Sequence, residues 1–91
     1  MAFKLKPKGC PVCGYPEMQN LDEFGCTTFE ICNCCGCQAG YTFDERTTES
    51  HIYELRNDWI EDKACAWWGD ERYQPNNWEP TKQMKDAGFL N

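Results

Sequence analysis

Apolar and polar positions along the chain change rhythm twice, and the changes divide it into three regions. In "FKLKPK", Phe3 and Leu5 alternate with Lys4, Lys6 and Lys8, the period of two expected of a short strand. "TTFEI" (27–31) and "AGYTF" (39–43) are β-branched and aromatic and flank a cysteine-rich turn, which predicts two strands joined as a hairpin. From about Thr48 to Trp68 the rhythm becomes helical. Ile52, Leu55, Trp59, Ile60, Ala64 and Trp67 fall on one face. Thr48 or Ser50 can cap the start, with Glu49 and Glu54 near the positive end of the helix dipole, and Gly69 serves as a stop. The hairpin is the surface this helix face is expected to cover. The last region begins irregularly, with Pro75 and Pro80 bracketing "NNWE". A short helix from about Pro80 to Ala87 then ends at Gly88, with Trp78, Met84 and Phe89 folding the tail back on the body.

These segments total 91 residues, so one domain is expected over 1–91. It has a metal-binding region at 1–46, a helix at 47–69, and an irregular tail with a short helix at 70–91. A core this small usually needs a staple, and the eight cysteines suggest one. Neither a signal-peptide pattern at the start nor an apolar run of membrane-spanning length is present. The expected compartment is therefore the cytoplasm, where paired cysteines are metal ligands more often than disulfides. A disulfide framework requires an export signal that this sequence does not carry.

"CPVCG" (10–14) and "CNCCG" (32–36) share the form C-x-x-C-G. In such a knuckle both sulfurs turn toward one ion, and the following glycine supplies a positive φ or a close backbone approach. Two knuckles give four thiolates in a tetrahedron, the closed arrangement of structural zinc. The second cluster contains two interleaved registers. Cys32/Cys35 is followed by Gly36, as Cys13 is followed by Gly14, whereas Cys34/Cys37 is followed by Gln38 and has its glycine inside the turn. The glycine rule assigns Cys10, Cys13, Cys32 and Cys35 to one Zn²⁺. Iron in a rubredoxin-like site is the lesser alternative, because thiolates suit both metals. Cys26, Cys34, Cys37 and Cys65 are read first as small buried hydrophobes. A second four-cysteine site and a redox role near the lysines remain open.

The only histidine, His51, stands in the first helical turn among polar neighbours and reads as a surface or capping residue. A four-sulfur shell leaves no position for water, which argues against hydrolytic zinc chemistry. Nor is there a nucleophile elbow, a phosphate loop or a supported pair of catalytic carboxylates; Glu61-Asp62 and Asp70-Glu71 read as solvated charge. The chain is not expected to be an enzyme. Its net charge of −6 is a poor footprint for a phosphate backbone. Trp59 and Trp67 read as core. Trp68 projects about 100° from Trp67 on an ideal helix, so it packs under the 72–80 loop or lies exposed beside acidic residues, as at a protein interface.

The order "CPVCGYPEM", "FEICNCCGCQAGY", "YELRNDWI", "AWW", "NWEPTKQM" resembles an uncharacterised bacterial family of short cysteine-rich proteins built on paired C-P-x-C-type knuckles. The resemblance covers most of the chain. It implies a small α+β metal-bound domain, with zinc-ribbon or rubredoxin-like hairpin knuckles packed against a C-terminal helix, and carries the ligands to Cys10, Cys13, Cys32 and Cys35. Asn33 departs from the usual knuckle proline, and Cys37 stands where an aromatic is expected. The family supplies no activity. The leading functional expectation is a zinc-stapled, non-catalytic module that presents an acidic, aromatic surface to another protein, a toxin-neutralising immunity protein being one concrete form. A rubredoxin-like electron carrier comes second. A nucleic-acid-binding zinc ribbon using Lys4, Lys6 and Lys8 comes third.

Overall fold

Two α-helices and one 3-10 turn are the regular elements of the computed structural model, which describes residues 5–44 and 46–89. Helix α1 spans Glu49–Glu61 and helix α2 spans Pro80–Asp86, with the 3-10 turn at Glu71–Tyr73 between them. The expected strands contract to single ladder rungs. Lys8 pairs with Gln19, Leu21 with Thr27 and Ile31 with Gln38, all antiparallel, and Ala39 pairs with Phe43 in parallel. "AGYTF" is a turn: Tyr41 and Thr42 both donate backbone N–H groups to the Gln38 carbonyl. Phe29, inside "TTFEI", has φ 61, outside the range of a strand. Phe3 and Lys4, the start of the other expected strand, lie outside the described residues.

The start of α1 follows its sequence signals. Thr48 is extended and its Oγ1 accepts the His51 N–H, while Glu49 occupies the first turn. Ile52 and Trp59, two turns apart, are buried, with Leu55 and Ile60 partly buried beside them. The end departs from expectation by two turns. Asp62 caps the helix, and Ala64 and Cys65 take φ values of 51 and 57, which no α-helix contains. The Trp59 carbonyl accepts the Cys65 N–H, and the Trp59 indole donates to the Ala66 carbonyl at 3.1 Å. These bonds turn residues 66–69 away from the helix axis.

The redirected segment explains the adjacent tryptophans, which no one helix face could bury together. Trp68 and Gly69 donate backbone N–H groups to the carbonyls of Cys34 and Asn33 at 2.9 and 2.7 Å. Trp67 then packs edge-on between Tyr15 and Trp78, with ring centroids 5.4 and 5.3 Å away. Trp68 instead lies on Gly36 and stays 57% exposed. Gly69 is a contact point against Asn33 rather than a helix stop.

Helix α2 begins at Pro80 and ends at Asp86, with Ala87 as its C-cap before Gly88 at φ 84. Met84 is buried, and Trp78 and Phe89 pack against the core, as the tail residues were expected to do. One buried cluster draws on all three sequence regions, joining Leu5, Val12, Tyr15, Met18, Phe43, Ile52, Trp59 and Met84 to the cysteines. Asn20, fully buried, ties the first segment together: its Nδ2 donates to the carbonyls of Lys6 and Gly9 at 3.0 and 2.7 Å. No helix among the described residues is long and apolar enough to cross a membrane.

Candidate metal centre

The two C-x-x-C-G segments fold into the same local structure. In the first, the Gly14 N–H donates to the Cys10 carbonyl at 3.0 Å and the Cys10 N–H to the Tyr15 carbonyl at 2.9 Å. In the second, Gly36 donates to Cys32 at 2.9 Å and Cys32 to Cys37 at 2.8 Å. Gly14 and Gly36 have φ 86 and 82, the left-handed region that glycine enters without penalty. The equivalence runs residue for residue from Cys10–Tyr15 to Cys32–Cys37. Cys32 and Cys35 are thereby the counterparts of Cys10 and Cys13, in the register the glycine rule selects.

Both glycines also face close neighbours. A Cβ on Gly14 would lie 2.9 Å from Ala87 Cβ, where α2 ends against the first knuckle. One on Gly36 would lie 2.8 Å from the Trp68 indole. Each knuckle thus carries a lid from a distant part of the chain. Arg56 of α1 fastens the first knuckle further, donating from Nε to the Val12 carbonyl at 2.9 Å and from Nη2 to the Pro11 carbonyl at 2.8 Å. Its guanidinium lies 3.8 Å from the centre of the Phe89 ring.

The four sulfurs of Cys10, Cys13, Cys32 and Cys35 lie within 4.8 Å of one another, and all four side chains are buried. Two opposite edges of the group, Cys10–Cys35 and Cys13–Cys32, measure 3.6 Å. A tetrahedron with metal–sulfur bonds of about 2.3 Å has edges of about 3.8 Å, so the group is close to the size a thiophilic ion requires. The donor set is soft and closed, and the arrangement can hold a metal ion.

The electrostatics show what holding it involves. Contacts from Cys10, Cys13 and Cys35 hold the Cys32 thiol far below its ordinary pKa, helped by the Cys35 backbone N–H. Burial, followed by the neighbouring thiols, pushes Cys13 up, and the contact with Cys10 leads the rise at Cys35. One negative charge is thus welcome in the cluster and further ones are not. A divalent cation reverses that balance by displacing the remaining protons.

The other cysteines separate. Cys34 is fully buried, as expected of a small hydrophobe, but Cys26 is exposed and Cys37 and Cys65 are half-buried. Among the described residues these four form no group that could hold a metal. The Cys37 thiol is held down by contact with Cys35 and by Lys63, whereas burial and then Cys34 raise Cys65. His51 is exposed, with its ring 3.5 Å from the Glu54 carboxylate.

A further residue of the centre left little signal in the sequence around it. Gln83, on α2, is buried and donates from Nε2 to the Cys13 carbonyl at 3.0 Å and the Cys34 sulfur at 3.4 Å. Its Oε1 accepts the Trp78 indole N–H at 2.9 Å. Gln83 therefore joins both knuckles to the tail. The one sequence hint is a glutamine within a helix that otherwise had only Met84 marked as inward-facing.

No family model matches the chain, and no curated protein or solved structure is found to be similar to it.

Proposed function

We propose that the chain is a cytoplasmic, zinc-ribbon-like protein in which one Zn²⁺ bound by Cys10, Cys13, Cys32 and Cys35 is structural, and that it acts as a non-catalytic module binding another protein. Toxin-neutralising immunity is the concrete form of that role. The observation that carries the reading is the closed shell: four protein sulfurs, each no more than 3% exposed, leave no coordination position for water or substrate. The acidic balance supports the choice of partner. Four thiolates and one Zn²⁺ add −2 to the net charge of −6, giving −8, which suits occupation of a basic surface on another protein and opposes nucleic acid.

Metal analysis of the natively purified chain tests the first half. One zinc per chain in colourless protein is expected; a coloured, iron-containing protein replaces the module with an electron carrier. Pull-down from the source cells with zinc-loaded chain tests the second half. A partner that re-forms a saturable complex from purified components is expected, and recovery of none overturns the interaction role.

A further inference from the structure

The segments that enter and leave the second knuckle carry apolar side chains that the core does not use. Phe29, Ile31 and Tyr41 are 60%, 43% and 84% exposed, although each is a residue type that ordinarily gains from burial. They belong to one piece of structure. Ile31 pairs with Gln38 across the ladder rung, and Gln38 Nε2 donates to the Phe29 carbonyl at 2.9 Å. The Phe29 ring lies on Gly40, where a Cβ would come within 2.8 Å of its Cε1, and Tyr41 follows directly. Phe29 holds this place from a left-handed backbone, a conformation aromatic residues avoid. Burial of the ring does not compensate that strain, since most of the ring faces solvent. Exposed strain of this kind marks a surface kept for contact.

Charge selects the contact. Between Lys8 and Arg46 the sequence has no lysine or arginine, but it has Glu17, Asp22, Glu23, Glu30, Asp44 and Glu45. Glu23, ahead of the patch in sequence, and Glu30, between Phe29 and Ile31, are exposed and join no ion pair among the described residues. A second copy of the chain would oppose acid to acid, and phosphate backbones and anionic lipid surfaces are repelled likewise.

We propose that Phe29, Ile31 and Tyr41 form the docking surface for a protein partner that offers an apolar pocket rimmed by lysine and arginine. This rests on the interaction-module reading and specifies where that module binds and what it binds. Burial of the three side chains supplies the apolar contact, and the unpaired carboxylates steer a basic partner and fix its register.

The test uses the zinc-loaded full chain, ¹⁵N-labelled, and a synthetic peptide of alternating arginine and leucine as probe, with a glutamate–leucine peptide as control. Saturable shifts confined to the amides of 28–31 and 38–42 are expected with the basic peptide alone. Ile31→Ser and Tyr41→Ser should each weaken binding about fivefold or more, and Glu30→Lys should weaken it while reducing its salt dependence. Tyr73→Ala, at an exposed aromatic in the 3-10 turn, should leave it unchanged. Thermal unfolding and zinc content of every variant confirm an intact fold. The proposal is overturned by shifts spread over all acidic surfaces, by shifts centred elsewhere, by equal binding of the acidic peptide, or by self-association that the same variants abolish. A cellular partner that binds the Ile31→Ser, Tyr41→Ser chain undiminished overturns the surface while leaving the module reading intact. Recovery of no cellular partner strikes the module reading itself.

Discussion

Gly36 answers two demands at once, and the two can be separated. Alanine there must adopt φ 82 and set its Cβ 2.8 Å from the Trp68 indole. The backbone term alone costs about 1–2 kcal/mol, and the contact adds to it. Combining Gly36→Ala with Trp68→Ala removes the contact and leaves the backbone cost, so the double variant should recover only part of the lost stability in thermal unfolding of zinc-loaded protein. Serine at Cys32 or Cys35 should abolish zinc binding, whereas serine at Cys34 or Cys37 should leave one ion per chain, as metal analysis would read directly. That register was visible in the sequence because the glycine after Cys35 is a local backbone requirement. Gln83 and Arg56 were not visible, because each meets its knuckle 70 and 44 residues from its partner in sequence and no periodicity encodes such a meeting. Gln83→Leu keeps the volume and removes the donors to Cys13 and Cys34. It should cost about 1–3 kcal/mol, since the Cys13 carbonyl and the Trp78 indole are then left without partners.

The two ends of α1 differ in how they are specified, and each suggests its own substitution. At the start, Thr48→Ala removes the acceptor for the His51 N–H and should lower stability by about 1 kcal/mol. At the end, Ala64 stands at φ 51, where a Cβ is a liability. Ala64→Gly relieves about 1–2 kcal/mol of backbone strain against roughly 0.4–1 kcal/mol of added freedom in the unfolded chain. A small net gain, seen as a higher midpoint in denaturant, is expected. The same contrast explains what the pattern of residues revealed of the fold. Capping oxygens and Pro80 are local signals, and both helix starts follow them. The end of α1 carries no glycine at its left-handed residues, so the apolar rhythm of 64–67 reads as further helix until the bonds from Trp68 and Gly69 to the second knuckle draw the segment away. The strands shrink for a related reason. Phe29 and Gly40 turn the chain beside the rungs, and β-propensity does not foresee a turn imposed by packing.

At the level of the whole molecule, the core and the metal centre coincide, since the buried cluster contains Cys10, Cys13, Cys32, Cys34 and Cys35. An ion bound by these sulfurs would sit in the middle of the core, and its removal would take that support away. Chelation should abolish the cooperative thermal transition, because structural zinc contributes about 10–16 kcal/mol of apparent binding free energy, comparable with the roughly 5–15 kcal/mol total of a small domain. The pH dependence has a definite sign. Cys13 and Cys35 hold their protons well above neutrality, and the ion needs both as thiolates. Zinc uptake at neutral pH should release these protons to the buffer, measurable by calorimetry in buffers of different ionisation enthalpy, and zinc affinity should fall as pH falls. The order in which these contacts form and open follows from Gln83. Cys13 and Cys32 are 19 residues apart, whereas Gln83 reaches Cys13 across 70, a closure costing about 1 kcal/mol more in chain entropy. Seven residues of α2 are too few to persist as a helix in water without docking. The last contact to form is also the first to open, and opening bares the Cys13 carbonyl and Cys34. The rate at which zinc passes to a competing chelator should then track amide hydrogen exchange in α2 rather than global unfolding, and Gln83→Leu should quicken both together. The tail would act as a clock for metal exchange, set by one glutamine.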